Sequence, residues 1–469
     1  MDGVKRLRIR FILPLRLILP LALLAFFSAL AAAPATWAAA GSVDEFVLGQ
    51  NDLFPGAIAP GPGGEMWFGN PTGTAGRSAS EQRPVGMIDR ISPSGQITTF
   101  SSPEILPSAL AAGPDGNMWF AYQKGFGRIT PGGQITTFSV QMDFPNGLAA
   151  GPDGNLWLTA RQDTGVDRII RISTNGQITE FPIPTHASGP LGIAAGSDGG
   201  MWFTEYFGKK IGRIGLGGGI VEFPLPSERP PIAITQGPDG NAWFTMSGGV
   251  GRITPDGQIT EFPTPGWRNA IVAGSDGRLW FTNEQGSIGR INPTSGRMTE
   301  IQLPNRESYP VDLAAGPDGS IWYTASGEGP CEGGGATCMA MIYKNPGIVG
   351  RITPGKLAVA VKSRRVLVSR RWARMKLACE GGQAASVCQG KVRLTAYSGQ
   401  AAAHRSARNI SLGGARYRLA ADERRTVAIR LRPGLVLPTR NSSRRARVRL
   451  SPTGDRSVSS SVVLVRKSR

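Results

Sequence analysis

The sequence predicts an all-β protein: a seven-bladed β-propeller followed by a small immunoglobulin-like β-sandwich. Three observations lead there. Seven tryptophans, Trp67, Trp119, Trp157, Trp202, Trp243, Trp280 and Trp322, each follow a Gly-x-x-Gly turn. They recur at a period of about 40 residues, which marks a repeat array and not one ordinary domain. After Gly355 the repeat stops and short runs alternate Val or Leu with Arg, as in RVLVS, KVRLTAY and RARVRLS. The formal charge changes in step, from +4 over residues 1–40 to −8 over 41–355 and +23 over 356–469.

The first segment, residues 1–40, carries Lys5, Arg6, Arg8, Arg10 and Arg16 ahead of and within an apolar run from Phe11 to Ala32, then small residues ending Trp37-Ala38-Ala39-Ala40. That order is the order of a secretory signal peptide. Pro14, Arg16 and Pro20 break the run and argue against a permanent membrane span, although an uncleaved anchor is the alternative. The mature chain is expected to begin near Gly41, secreted or at the cell surface. The four cysteines then meet an oxidising compartment as two close pairs, Cys331 with Cys338 and Cys379 with Cys388. Three connectivities are open, the local one being favoured, and neither pair has partners at zinc-ligand spacing.

The second segment, residues 41–355, holds the propeller. In each unit an apolar strand such as GLAAG is turned by Pro-Asp-Gly, where Pro presets φ and Gly supplies a positive φ. A WFT-like strand runs back, an IGRI-like strand runs forward, and a second turn feeds a GQITEF-like strand. A lone four-stranded unit cannot bury both faces. Stacked around an axis with Trp between units, it can. GQITEF-like strands occur at 95–100, 133–138, 176–181, 218–223, 257–262 and 296–301, while the last unit lacks one. Gly41-Ser42-Val43-Asp44-Glu45-Phe46 fits the missing pattern, so the N-terminal strand, 41–48, is expected to close the ring and cover that edge. LAVAV at 357–361 competes for the slot and is assigned to the next domain. Two long connections, 69–86 and 325–347, should stand together beside one mouth, the second braced by Cys331 and Cys338.

One arginine per unit (Arg90, Arg128, Arg171, Arg213, Arg252, Arg290, Arg351) is best explained as a cover for the Trp layer or a partner for repeat carboxylates. The aspartates Asp115, Asp153, Asp198, Asp239, Asp276 and Asp318 come one per turn, which suits turn formation better than calcium.

The run GPDGNAWFTMSGGVGRITPDGQITEFP at 237–263 resembles the streptogramin B lyase (virginiamycin B lyase) family of seven-bladed propellers, over about residues 41–355. Gluconolactonase-like and NHL-type propellers share the architecture, and fold does not fix function. The resemblance implies ring-opening elimination of a cyclic depsipeptide ester by histidines and glutamate at one mouth, with Mg²⁺. That chemistry needs a base for the proton α to a carbonyl, an acid for the leaving ester and an electrophile for the enolate. The family's histidines open inner strands, where this chain has Ile232 and Asn269. Glu284, four residues after Trp280, matches the family glutamate. The whole chain has two histidines, His186 in a connection between units and His404 in the basic segment. A shifted catalytic set would be Glu284, His186 and Glu205, with Mg²⁺ expected only on this lyase reading.

The other polar and aromatic residues expected at the mouth are Tyr122, Arg161, Tyr206, Trp267, Arg268, Asn269, Asn283 and Tyr309, a mixture suited to a glycan or peptide. The preferred expectation is therefore an exported, monomeric binding propeller, with a lyase as the alternative. The third segment, 356–469, carries apolar residues inward and Arg outward, as in an immunoglobulin-like sandwich. Its charge points to an anionic cell-wall polymer or membrane surface; nucleic acid is not expected for an exported chain.

Overall fold

The structure is a computed structural model. It describes residues 42–49, 55–75, 83–102, 105–140, 143–283, 286–306, 308–326 and 346–354, then the strands of the basic segment between 358 and 466 with 362–364, 369–371, 381–386, 399–407, 421–423, 432–442 and 453–457 left out. The expectations for residues 1–40, Glu284, Cys331, Cys338 and His404 lie outside the described residues. Among those described, every regular element is a strand, and up to residue 353 the strands form seven four-stranded sheets. Six of them run in chain order, spanning 58–102, 107–139, 144–182, 190–224, 231–263 and 271–302. The seventh joins Tyr309–Ala315, Ile321–Ser326 and Ile348–Thr353 to Ser42–Val47, with Ser42 opposite Thr353 and Val47 opposite Ile348.

Five of the seven sheets are built on the same polar unit. In a Pro-Asp-Gly or Ser-Asp-Gly turn the aspartate bends back to its own strand. Trp119 Nε1 donates to Asp115 at 2.9 Å, Trp157 to Asp153 at 3.1 Å, Trp202 to Asp198 at 3.2 Å, Trp243 to Asp239 at 2.9 Å and Trp280 to Asp276 at 3.0 Å. Burial alone would raise these carboxyls, yet the hydrogen bonds from Trp, Asn and Arg hold Asp115, Asp153 and Asp198 below the usual range. The repeat arginine lies over the indole, 5.5 to 6.0 Å from its centre in all seven sheets. It also pairs with the turn carboxylate, as Arg128 does with Asp115 and Arg213 with Asp198.

The same arginines tie sheet to sheet. Arg90 donates to the carbonyl of Pro131, Arg128 to that of Thr174 and Arg171 to that of Leu216, each in the following sheet. Arg351 of the seventh sheet donates to Pro93 of the first at 2.8 Å. Closer to the inner strands, Thr159 donates to the Leu191 carbonyl, Thr204 to that of Ile232 and Thr324 to that of Gly56. Asp312, where other sheets have Gly147, Gly192 or Ala233, accepts from Ile58 N at 2.9 Å. Burial pushes the Asp312 carboxyl up to about 6, and that backbone donor works against the rise.

Phenylalanines complete the contact between neighbours. Phe46 stacks on Trp322 with ring centres 5.9 Å apart, as Phe100 does on Trp67 and Phe138 on Trp119. Phe46 also meets Gly95 of the first sheet, whose φ of 87° only glycine adopts freely and where a Cβ would come within 2.4 Å of the ring. One difference from expectation concerns the connection at 69–86. Much of it is ladder, because Met66–Ala75 and Arg83–Ile91 extend their pairing out to Ala75 opposite Arg83.

The basic segment forms a separate eight-stranded sheet that returns on itself. Trp372–Glu380 pairs with Arg424–Leu431 on one side and with Ala358–Val361 and Arg365–Val368 on the other. Arg365–Val368 runs parallel to Val458–Arg466, and Ser443–Pro452, Val387–Ser398 and Arg408–Ala420 complete the circuit. Met375, Leu377, Val392, Leu394, Leu419, Ile429 and Val448 fill its interior. Cys379 and Cys388 are joined as a disulfide, Cα to Cα 5.6 Å, the local pairing favoured by the sequence.

If the N-terminal strand is integral to the ring, Phe46→Ala should lower the unfolding free energy by about 2–4 kcal/mol, through lost stacking and a cavity beside Gly95. Urea unfolding followed by tryptophan fluorescence measures this; a loss below about 0.5 kcal/mol would show a dispensable strand.

Candidate functional site

A cavity of about 250 Å³ opens between the third and fourth sheets. Phe144, Asn146 and Arg161 line one side, and Gly189, Leu191, Tyr206 and Phe207 the other. Phe144 and Gly189 both stand just before the proline that opens an inner strand. A large ring at one position facing no side chain at the other leaves the space. Arg161 spreads its guanidinium 4.2 Å from the Phe144 ring centre and lies 3.7 Å from Asp163. Tyr206 and Phe207 meet edge to face at 5.1 Å, and Phe207 is 58% exposed. An aromatic ring held open to solvent in a concave site is a ready ligand contact.

The walls are fixed from below by a buried carboxylate. Asp167 accepts from Gly189 N at 2.7 Å, Ser188 Oγ at 3.1 Å and Gln162 N at 2.9 Å, joining the two sides. The 206–209 turn hangs from the same segment through Tyr206 N to Gly189 O and Phe207 N to Ser188 O. Lys209 and Ala187 take left-handed φ values of 53° and 50°, which places local strain on both flanks of the cavity.

Glu205 ends the strand just before Tyr206 and is fully buried. Four of the other sheets put Tyr122, Ala160, Met246 or Ala325 at this place, three residues after the tryptophan, and the remaining two put the buried amides Asn70 and Asn283 there, so Glu205 is the one carboxyl at a position shared by apolar and neutral polar groups. Among the described residues no N–H group donates to either of its oxygens, and its carboxyl meets that of Glu222 instead. Burial first, and the charge of nearby Glu222 second, push its carboxyl up to about 8, against the pull of Lys210. Glu222 goes the other way. Despite burial it is held below the usual range by Lys210 Nζ at 2.8 Å and by the hydroxyl and amide of Thr185 at 2.8 and 3.0 Å. The pair thus keeps one proton-bearing and one ionised carboxyl side by side at neutral pH.

The structure brings together only part of the expected set. Arg161 and Tyr206 share the cavity, with Phe144, Asn146, Leu191 and Phe207 added. Asn269 Nδ2 reaches Tyr309 Oη at 3.2 Å, forming a second small polar group, with Trp267 exposed nearby in sequence. Three expected ligand contacts are taken up internally. Arg268 is 1% exposed and clamps its own loop, donating to the carbonyls of Thr264, Pro265 and Gly266 while lying over Phe281. Asn283 is spent on Ser287 and Glu300, and Tyr122 packs into the core beside Phe120. His186 is exposed and its ring rests against Gly165; among the described residues no hydrogen bond or ion pair links it to Glu205. Ile232 and Asn269 stand where histidines were expected, and among the described residues no group of three or more His, Cys, Asp or Glu side chains could hold a metal ion.

The elevated Glu205 carboxyl makes a signed pH prediction. Its folded value lies above its unfolded one of 4.5. Its contribution to stability is therefore complete below about pH 4.5 and is lost as pH rises through about 8. Glu205→Gln should unfold like the parent near the acid end and gain roughly 2–4 kcal/mol over it by about pH 9. Urea titrations across that range would show the gap opening, and a gap that does not change with pH would place Glu205 in water.

Comparison with known proteins follows the geometry. The virginiamycin B lyase family model matches residues 79–249 and 227–332, together more than half of the chain. Virginiamycin B lyase of Nocardia farcinica (strain IFM 10152) is 32% identical over 123 residues, 26% of this chain and 42% of that protein. The chain therefore spans less than half the length of that curated relative in the match. Among solved structures, a streptogramin B lyase superposes with a TM-score of 0.56 at 29% identity, covering 66% of this chain and 97% of that one. A catalytically inactive histidine-to-alanine variant of virginiamycin B lyase from Staphylococcus aureus, solved with quinupristin, gives 0.55 at 29% identity, covering 66% and 99%. A β-propeller of repeated four-stranded sheets, with the family's repeat along most of it, is what these relatives and this chain share: the chain belongs to the virginiamycin B lyase family.

Proposed function

We propose that the chain is an exported binding propeller of this family that holds a small glycan or peptide at the cavity between its third and fourth sheets. In this reading the seven four-stranded sheets are the blades of one closed seven-bladed ring, residues 1–40 are a secretory signal, and the molecule works as a monomer outside the cytoplasm. The disulfide of the basic segment is compatible with that location. The basic segment itself is an immunoglobulin-like domain that contacts an anionic cell surface.

One observation carries the binding reading: a preformed cavity whose walls present Phe144, Tyr206 and Phe207 together with the Arg161 guanidinium. Aromatic faces stack on sugar rings or apolar side chains, and the guanidinium takes a carboxylate or hydroxyl. At about 250 Å³ the space suits one sugar ring or one peptide side chain and its backbone. It falls below the usual range for a whole drug-sized ligand.

A second reading, a carbon–oxygen lyase opening a cyclic depsipeptide ester, draws support from family membership and from Glu205. A carboxyl that keeps its proton near pH 7 can supply it to a leaving ester oxygen, provided the 206–209 turn moves aside. His186 as base and Glu284 as a further carboxyl would complete this set.

Titration calorimetry with a panel of mono- and disaccharides and short peptides, alongside quinupristin with and without Mg²⁺, separates the two. The binding reading expects saturable heat without turnover and a roughly tenfold weaker complex for Phe207→Ala or Arg161→Gln. Ring opening of quinupristin that disappears with Glu284→Gln or Glu205→Gln would replace it with the lyase.

A further inference from the structure

We propose that one outward face of the basic segment, formed by Val387–Ser398, Arg408–Ala420 and Ser443–Pro452, is a binding surface for a linear phosphate-bearing polyanion. The proposal rests on reading this segment as the surface-contacting part and narrows it to one face and one chemistry.

Strand alternation sets the face. Val392, Leu394, Tyr417, Leu419 and Val448 are buried, while Lys391, Arg393, Arg416, Arg418 and Arg449 between them are exposed. Register then places like charges directly opposite one another, Lys391 against Arg416 and Arg393 against Arg449. Cross-strand neighbours lie about 5 Å apart, and like charges there are destabilising. No carboxylate offsets them from within these strands. The four acidic residues after 355 are Glu380, at a strand end opposite Ala358, and Asp422, Glu423 and Asp455, which fall between strands in the sequence.

The neighbouring strand pair, Trp372–Glu380 with Arg424–Leu431, shows that this arrangement is not imposed by an arginine-rich composition. There Arg374 stands opposite Ala428 and Lys376 opposite Thr426, each cation against a neutral residue. Two strand sets of one small domain thus treat the same residue type differently, and only one concentrates it at a cost to folding. An external anion offsets that cost.

The occupant is argued from spacing and from what surrounds the cations. Side chains on one face recur every two residues, about 6.8 Å along a strand, with the next strand about 4.8 Å away. A chain carrying a phosphate per repeat can meet several such sites at once, and arginine's planar fork binds phosphate oxygens in pairs. The other described exposed positions beside them are Gln389 and Gly414. Large apolar side chains, which a surface-seated membrane binder inserts, are absent from these positions.

The test uses the full chain and long-chain inorganic polyphosphate, with binding followed by fluorescence anisotropy over a series of salt concentrations. The parent should bind with a steep salt dependence. Lys391→Gln/Arg393→Gln/Arg449→Gln should weaken binding at least tenfold and reduce the log–log salt slope by roughly 2, whereas Arg374→Gln/Lys376→Gln should cost under about threefold. The first variant should melt no lower than the parent at low salt, because repulsion has been removed. Should it fail to fold, hydrogen exchange on the parent decides, with polyphosphate protecting 387–398 and 443–452 ahead of 372–380. Equal losses from both variants overturn the assignment of the face and leave only general charge attraction. Tighter binding to phosphatidylglycerol vesicles than to polyphosphate makes the surface a membrane contact and overturns the polymer. No binding to either, even at low salt, removes the surface-contacting role as well, while leaving the cavity reading to its own experiment.

Discussion

The carboxylate of the Pro-Asp-Gly turn is the constraint from which the propeller is assembled. By accepting from an indole N–H four residues on, it fixes the rotamer of the largest side chain in five of the seven sheets. With the indole fixed, a guanidinium can lie on it, and with the guanidinium placed, its remaining N–H groups reach a carbonyl of the next sheet. One aspartate therefore organises a turn, a core and a joint between sheets in succession. It does so with ordinary parts: a charge-assisted hydrogen bond, a cation over an aromatic face and a buried ring, none worth much more than 1–3 kcal/mol alone.

This economy explains why so much of the fold was legible in the sequence. Trp, Gly and Arg recur at fixed places in all seven sheets and Asp in six of them, and recurrence can be read without knowing the structure. The strand at 42–47 was visible for the same reason, since Val43, Glu45 and Phe46 repeat the outer-strand pattern and Phe46 fills the role of Phe100 and Phe138. The ladder extending to Ala75 was not, because glycine- and proline-containing stretches such as GNPTGTA carry no alternation to announce a strand.

The site was legible only where it departs from the repeat. Tyr206 and Arg161 stood out as polar or aromatic residues beyond structural need, and the cavity joins them. Phe144 was missed although a signal existed: it precedes a strand-opening proline where the next repeat has Gly189. Arg268 and Asn283 hydrogen-bond within their own surroundings, and in sequence a side chain that does so looks the same as one that meets a ligand. Glu205 was named as a catalytic candidate, but its distinguishing property, full burial of a carboxyl in a place otherwise given to Tyr, Ala, Met or Asn, appears only in the folded sheets.

The pairing of Ser42–Val47 with Ile348–Thr353 has a consequence for how the molecule comes to exist. The first strand to be synthesised has its partner at the far end of the propeller, so it must wait for nearly the whole ring to be made. Until then the first and last sheets each expose an unsatisfied flank, and closing a loop of this length carries an entropic cost that the local repeats do not face. The ring is thus a clasp whose two halves are separated in time as well as in sequence. Nothing in the ring can lock until its last sheet has been made.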